Sequence, residues 1–283
     1  MEINKPAVID IEKVIGNKNP RLLKILPRFV LNYIKRTIHQ DEINHVLTKF
    51  HTDYGVTFVN NTLTELGFSY QVRGAEHLNR PGRLIITANH PLGGLDGLML
   101  MSAAARYHHE VKFIVNDLLM NLANLAPLFI PVNKHGSQSI EYARKIEEAY
   151  ASNAVILNFP AGLCSRKIRG KITDLEWKKN FIDKAVRYQR DIIPVFVEGH
   201  NSDFFYNLAN IRKMIGIKAN IEMFYLPHEM FRQKSKTITF YFGQAIPWQT
   251  FDKRYTHQQW TMKIRNHVYR LKDDYMKIFD PAV

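Results

Sequence analysis

Two residues that can share a proton, a histidine and an aspartate, stand in the stretch ANHPLGGLDG at positions 88–97. A carboxylate bonded to one imidazole nitrogen fixes the tautomer of the ring and leaves the other nitrogen free to accept a proton. Gly93 and Gly94 lie between the two residues and allow the backbone to bend so that they meet. The pattern indicates His90 as a general base oriented by Asp96. The alternative is a pair that merely caps a turn and a helix.

A second polar stretch, FPAGLCSRKIRGK at positions 159–171, is strongly basic. It follows an apolar run, and the carboxyl ends of parallel strands meet at one edge of a sheet, where His90 is also expected. Arg166 offers a planar fork for phosphate or carboxylate, whereas Lys167 is a less directional charge. We expect this loop to bind an anionic group near His90. The alternative is a solvated basic loop.

The elements that must position these residues follow from short apolar runs and from helical periodicity. Strands alternate with helices, which predicts an α/β fold with a mostly parallel sheet flanked by helices. The predicted strands are Tyr70–Val72, Arg83–Ala88, Val111–Val115, Leu128–Val132, Ala154–Phe159, Ile192–Val197 and Thr237–Phe242. The predicted helices are Leu95–Tyr107, Ser139–Ala151, Leu175–Tyr188, which follows the capping-box pattern TDLE, and His257–Ile278.

The N-terminal segment 20–38, PRLLKILPRFVLNYIKRTI, has a different character. It predicts a basic amphipathic helical arm, divided or kinked at Pro27. Such an arm can lie in a membrane interface, and a helix that packs its stripe on the core is an equally good interpretation. We therefore divide the chain into an arm at residues 1–60 and a catalytic domain at residues 61–283. The predicted stripe is Leu22, Leu26, Phe29, Tyr33 and Ile34, with Arg21, Lys24, Arg28, Lys35 and Arg36 around it.

Composition limits the classes of function. The 283 residues are 46% hydrophobic and carry a formal charge of +13, so the chain can bury a large core and is attracted to polyanions. No apolar stretch approaches the length needed to span a bilayer, and no secretory signal pattern is visible at the start. The single cysteine, Cys164, excludes a disulfide framework. The histidines lack metal-ligand spacing, so no metal is expected.

The first motif, Asn89-His90-Pro91 to Asp96-Gly97, resembles that of the glycerolipid acyltransferase superfamily, of the lysophosphatidic acid acyltransferase type. The usual spacing is Asn-His-x4-Asp, and here one more residue precedes Asp96. The extended form Asn-His-Pro-x-Gly-x-x-Asp-Gly is more similar to the branch that contains ornithine- and glycine-lipid O-acyltransferases and proteins labelled hemolysins.

Three further blocks resemble the family in the same order. Phe129–Asn133 resembles the second block, with Asn133 where many members carry an arginine. Phe159–Arg166 resembles the third, with Ala161 where a glutamate is usual, so the role of that glutamate must be lost or moved. Ile192–Val195 matches the fourth block. The resemblance covers residues 70–245 and a similar basic arm.

This resemblance implies direct acyl transfer, without a covalent enzyme intermediate, from an acyl carrier protein or coenzyme A thioester to a lysolipid hydroxyl. His90 and Asp96 would be catalytic, and no cofactor is implied beyond the acyl donor. The acceptor is either a lyso-amino-acid lipid or lysophosphatidic acid. A bacterial protein held peripherally on an anionic membrane, at the cytoplasmic face of the inner membrane, is expected. The expected substrate-binding residues are Asn89, Gly93, Gly94, Lys134, Ser165, Arg166 and Lys167.

Two other classes of function remain to be weighed. A non-catalytic membrane-binding relative is favoured by the departures at Asn133 and Ala161, but the presence of both His90 and Asp96 favours an enzyme. A nucleic-acid-binding module would fit the positive charge, yet the sequence has no recognition motif of that class. We therefore expect an acyltransferase with no nucleic-acid partner.

Overall fold

The computed structural model describes residues 8–116, 122–132 and 139–282. Helices come first in these ranges, and strands and helices alternate after residue 69. The N-terminal helices are α1 (Ile11–Lys18), α2 (Pro20–Ile25), α3 (Arg28–Thr37), α4 (Gln40–Lys49) and α5 (Gly55–Glu65). The next elements are β1 (Ser69–Arg73), β2 (Leu84–Ala88), α6 (Gly94–Ala105), β3 (Val111–Asn116), β4 (Phe129–Val132), α7 (Ser139–Ala151) and β5 (Val155–Asn158). The last are β6 (Arg166–Ile168), β7 (Lys171–Thr173), α8 (Asn180–Tyr188), β8 (Asp191–Val197), α9 (Asp203–Met214), α10 (Leu226–Phe231), β9 (Thr237–Phe242) and α11 (His257–Arg270).

Seven strands of the described ranges form one sheet in the order β1-β9-β8-β2-β5-β3-β4. The strands from β8 to β4 are parallel, whereas β9 pairs antiparallel with β8 and parallel with β1. β6 and β7 form a separate antiparallel hairpin. The predicted mostly parallel sheet flanked by helices is confirmed, and each predicted strand matches an observed one with ends displaced by one residue at most.

Two apolar cores enclose the central strand β2, which is buried along its whole length. Ile86 packs in the core that contains Phe58 of α5 and Met99 of α6. Ile85, on the opposite face, packs in the core that contains Trp260 of α11. Each such buried side chain contributes about 1.5–3 kcal/mol relative to an exposed one. β2 is therefore a rigid support for the turn that follows it.

Two predicted helices differ from the observed ones by more than two residues at one end. The helix predicted at Leu175–Tyr188 starts only at Asn180, because Thr173 ends β7 and the side chain of Asp174 binds other groups instead of capping a helix. The C-terminal helix ends at Arg270 and not at Ile278. The hairpin of β6 and β7 lies where the sequence predicted a loop.

Pro27 divides the predicted arm. It lies between α2 and α3 and is the N-cap residue of α3. Only part of the predicted stripe packs inward. Phe29 is 74% exposed, and Leu22 and Tyr33 are also exposed, whereas Leu31, outside the predicted stripe, is buried. The arm thus presents an apolar face to the surroundings.

The boundary expected at residue 60 lies inside α5. Phe58, Val59 and Leu63 of that helix are buried in the main core, together with Val46 and Leu47 of α4. These helices therefore belong to the core structure, and the exposed arm consists of α2 and α3. In the described ranges no helix has the length and apolar character to cross a bilayer.

Candidate active site

The turn from β2 to α6 carries the predicted general base. Asn89 to Gly93 connect the two elements, and Gly93 has a positive φ of 79° as the residue before α6. A Cβ at Gly93 would lie 3.1 Å from the Leu226 side chain, so both the backbone angle and the space favour glycine there. Gly94, in contrast, is exposed, and a Cβ on it would meet no atom within 4 Å. Open space therefore adjoins the start of α6.

His90 and Asp96 meet as the sequence predicted. Nδ1 of His90 lies 3.0 Å from Oδ1 of Asp96, and neither atom has another partner in the described ranges. The other oxygen of Asp96, a fully buried residue, accepts the backbone N–H of Leu92 at 2.8 Å. The ring of Phe159 stacks on the imidazole at 4.0 Å. Since Asp96 occupies Nδ1, Nε2 is the nitrogen that can exchange a proton with a substrate.

The pKa of His90 is raised above its usual value of 6.5. Desolvation of the buried ring lowers this pKa. The charge of Asp96, the capacity of Asp96 to accept a hydrogen bond from the ring, and the charge of Asp174 raise the pKa and together outweigh desolvation. The surroundings therefore favour the protonated, imidazolium form of His90. This is the property expected of a general base that must hold a positive charge during the reaction.

A second buried carboxylate, Asp174, holds the active-site turn in place. One oxygen accepts the backbone N–H of His90 at 3.2 Å and the hydroxyl of Ser165, and the other accepts Nε1 of Trp177 at 2.8 Å. Burial raises the pKa of Asp174 above its usual range. Asp174 was not among the predicted site residues, because it stands in a TDLE pattern that is typical of a helix start.

The loop after β5 reaches His90, since the N–H of Ser165 donates to the carbonyl of His90 at 2.7 Å. Ser165 itself is buried, and its hydroxyl donates to Asp174. Ala161, which replaces the usual glutamate, is buried in the same core as Trp177. A buried carboxylate beside this loop is that of Asp174, which binds Ser165 and Trp177.

Asn89 and Arg166 lie next to the site with their polar groups already bound. The amide of Asn89 donates to the carbonyl of Val197 at 2.9 Å and accepts the N–H of Val197 at 2.6 Å, so it joins β2 to β8. Arg166 is buried and forms an ion pair with Glu222 at 2.9 Å. Glu222 also pairs with Arg212. The structure thus places both residues beside the site, each with contacts to other parts of the chain, and their substrate-binding role stays a prediction.

Lys167 and Lys134 complete the predicted binding residues. Lys167 is partly exposed, and its ammonium lies 2.8 Å from a carboxylate oxygen of Asp203. Lys134 lies outside the described residues, and so does Asn133 of the second block. Of the two predicted substrate-binding residues with basic side chains that the structure describes, Arg166 is buried and Lys167 is partly exposed.

Cys164 does not have the properties of a nucleophile. Its side chain is buried, and burial raises the pKa of the thiol to about 11. A thiol with this pKa stays neutral near physiological pH, whereas the nucleophilic form is the thiolate. In the described ranges no group of three or more histidine, cysteine, aspartate or glutamate residues could hold a metal ion.

The fold is α/β, with a histidine–aspartate pair at the carboxyl edge of a mostly parallel sheet, and comparison with known proteins specifies the class. Residues 13–276 match the acyltransferase family. The chain belongs to this family and is an acyltransferase.

Individual relatives are similar over nearly the whole chain. The lyso-glycine lipid O-acyltransferases of Bacteroides thetaiotaomicron and Phocaeicola vulgatus are each 47% identical to it over 265 residues. The alignments cover 93% of this chain and 97% and 95% of the two relatives. The crystal structure of the 1-acyl-sn-glycerophosphate (LPA) acyltransferase PlsC from Thermotoga maritima is similar with a TM-score of 0.48 and 14% identity, over 94% of both chains.

Proposed function

We propose that this enzyme transfers a fatty acyl chain from an acyl carrier protein or coenzyme A thioester to the hydroxyl group of a lyso-glycine lipid, in membrane lipid biosynthesis. The observation that carries the catalytic part is the contact of His90 with the buried carboxylate of Asp96. The acceptor is supported by two lyso-glycine lipid O-acyltransferases that are 47% identical over almost their full lengths.

In the proposed reaction, Nε2 of His90 removes the proton of the lipid hydroxyl while the oxygen attacks the thioester carbonyl. Asp96 orients the ring and stabilises the imidazolium. The tetrahedral intermediate then expels the thiolate, which takes the proton from His90, so the products are an ester and a free thiol. No covalent enzyme intermediate is needed. This agrees with the neutral, buried Cys164 and with the hydroxyl of Ser165, which is bound to Asp174.

The negative charge that develops on the carbonyl oxygen needs a donor. We assign this role to backbone N–H groups at the start of α6, near Gly93 and Gly94. The first N–H groups of a helix lack partners within the helix, and the helix dipole favours an anion there. The exposed position of Gly94 leaves space for the substrate carbonyl to approach.

The headgroup of a lyso-glycine lipid is an anion, because the glycine carboxylate is free. Lys167 is the basic residue that we assign to this charge, since it is partly exposed and stands two residues after Ser165, which contacts His90. Arg166 would act indirectly, because its ion pair with Glu222 fixes the loop.

A peripheral position at the cytoplasmic face of the inner membrane is part of the same proposal. Ile25, Phe29 and Tyr33 are exposed on α2 and α3, and Arg28 and Arg36 are exposed on the same helices. Amphipathic helices of this kind bind anionic bilayers through apolar insertion and through attraction of basic side chains.

The decisive experiment measures acyl transfer by the purified protein. Radiolabelled acyl-carrier-protein and acyl-coenzyme A thioesters are supplied with lyso-glycine lipid or with lysophosphatidic acid, beside a His90→Ala variant. We expect label in the glycine lipid and a loss of about 10²–10⁴-fold in the variant, the usual contribution of a general base. Label in phosphatidic acid alone would overturn the assigned acceptor. Equal turnover by the variant would overturn the role of His90.

A further inference from the structure

The chain between β8 and β9, residues 198–236, leaves the sheet and returns to it at the edge that carries His90. β8 ends at this edge next to Asn89, and β9 starts there because it runs antiparallel to β8. The excursion contains α9, a 3₁₀ turn at Ile221–Tyr225, and α10. Strand direction therefore places these elements over the catalytic edge.

The inner side of this excursion packs on the active-site loops. The Leu226 side chain lies against Gly93, and the sulfur of Met223 lies 3.9 Å from that of Cys164. The buried Glu222 binds Arg166. The excursion is thus fixed to both loops that form the site.

Its outer side is apolar and exposed. Met214 is 78% exposed and Ile215 is 60% exposed, and every residue from 213 to 221 is exposed. Monomeric proteins seldom present so many adjacent apolar side chains to water, and such patches mark interaction surfaces. The other exposed apolar residues of this surface are Phe204, Ile211, Ile217 and Ile221.

The charges of the segment favour an anionic partner. Residues 204–221 contain three basic residues and no acidic residue. Lys213 and Lys218 are exposed, whereas Arg212 is paired with Glu222. Exposed apolar side chains flanked by lysines are typical of protein segments that bind anionic lipid.

This surface is continuous with the exposed face of the arm. The hydroxyls of Tyr33 in α3 and Tyr225 are 2.9 Å apart, and the ring of Tyr225 meets the ring of Phe204 edge-on at 4.9 Å. The phenol of Tyr33 thereby joins the two apolar faces. The two faces therefore adjoin each other.

We propose that residues 204–221 are a second membrane-contacting element, which inserts into an anionic lipid surface beside α2 and α3 and holds the catalytic edge against it. Delivery of the acyl acceptor from that surface rests on the proposed function, whereas the lipid contact can be tested without it.

A single introduced cysteine provides the test. The native Cys164 is buried, so a thiol-reactive environment-sensitive dye labels a new surface cysteine selectively. Met214→Cys is compared with Met262→Cys, a methionine that is also exposed, at 56%, but lies on α11. With vesicles of equal parts phosphatidylglycerol and phosphatidylcholine, we expect the emission at position 214 to shift to shorter wavelength and the emission at position 262 to stay unchanged.

Two results would overturn the proposal. One is an unchanged spectrum at position 214 while a dye on Phe29→Cys shifts, which would leave the arm as the contacting element. The other is a shift at position 214 that needs no vesicles and grows with protein concentration, which would indicate a second copy of the chain as the partner.

A double variant, Met214→Ser with Ile215→Ser, links the contact to binding. We expect about 10-fold weaker partition into the same vesicles, since the loss of apolar burial weakens insertion. Acyl transfer to substrate in detergent micelles should stay unchanged, because neither residue contacts the site. Absence of transfer by the wild-type protein in micelles would count against the proposed function and leave the lipid contact unaffected.

Discussion

The catalytic edge and the exposed face of α2, α3 and α9 lie close together but are built in opposite ways. At the edge, Asp96, Asp174 and Asn89 are buried, and each binds a defined partner. On the face, Phe29 and Met214 are largely exposed. The difference indicates two kinds of recognition. The edge fixes atoms relative to a reacting bond, whereas the face suits a fluid partner that has no fixed geometry.

The largest expected effect of a substitution at the edge is that of Asp96→Asn. The amide cannot stabilise the imidazolium of His90, so we expect kcat to fall by about 10²–10⁴-fold. In the wild-type protein, activity should rise with pH as the imidazolium loses its proton, with a midpoint above 6.5, because the pKa of His90 is raised. In the variant the midpoint should move to lower pH, since the charge that raises this pKa is gone.

The measurement is kcat/KM of both proteins across the acid and neutral range. Asp252→Asn is a matched control, because Asp252 is exposed and pairs with Arg254 away from His90. If kcat/KM falls on the acid side at the same pH in the wild type and in Asp96→Asn, this result would contradict the assignment of the fall to protonation of His90.

The second prediction concerns stability at the edge. Glu222→Gln leaves Arg166 and Arg212 without a counter-charge, and removal of one partner from a buried pair costs about 3–5 kcal/mol. The free energy of unfolding from denaturant titration checks this value. Glu12→Gln breaks a partly exposed pair with Lys35 and should cost much less, because solvent screens surface ion pairs. Equal losses in the two variants would show that burial does not matter here.

A smaller effect is expected for Asp174→Asn. The amide can still accept the N–H of His90, but it lacks the charge that favours the imidazolium, so kcat should fall by about 10-fold. The acid limb should move to lower pH by less than in Asp96→Asn, with KM unchanged. The loss of the Trp177 contact also lowers stability, so the pH profile is the informative measurement. A pH profile of activity that does not move would show that Asp174 has only a structural role.

The smallest effect on the fold is expected at the exposed face. Phe29→Ser removes an aromatic ring that is 74% exposed, so the free energy of unfolding should change by at most about 0.5 kcal/mol. Binding to phosphatidylglycerol vesicles should nevertheless weaken by about 10-fold. Met276→Ser, at an exposed position near the C-terminus, is the control for binding. A large loss of stability in Phe29→Ser would contradict the separation of the two regions.

The parts of the site that the sequence could predict are local. His90 and Asp96 meet because a glycine turn joins a strand to a helix within a few residues, and this pattern is visible in the sequence. Strands could be predicted for a similar reason, since each is a short apolar run with strand-forming residues.

The parts that could not be predicted depend on distant partners. Asp174 binds a backbone group 84 positions away, and Arg166 pairs with Glu222, 56 positions away. The sequence shows that Arg166 has a planar guanidinium, which can bind an anion. It does not show that a glutamate of the same chain already binds this guanidinium. Asn89 likewise binds Val197, 108 positions away.

β9 runs antiparallel to β8, so the segment that joins these strands lies over the catalytic edge but does not carry His90 or Asp96. Residues 198–236 start and finish at one edge, so their length is not constrained by the need to cross the sheet. β1 runs parallel to β9, so the chain that follows α5 also enters the sheet at this edge. An exchange limited to the exposed stretch 213–221 should keep the strand order, the His90 turn and the Glu222–Arg166 pair. The proposed membrane contact of this stretch can thus be altered without changing the residues around the His90–Asp96 pair.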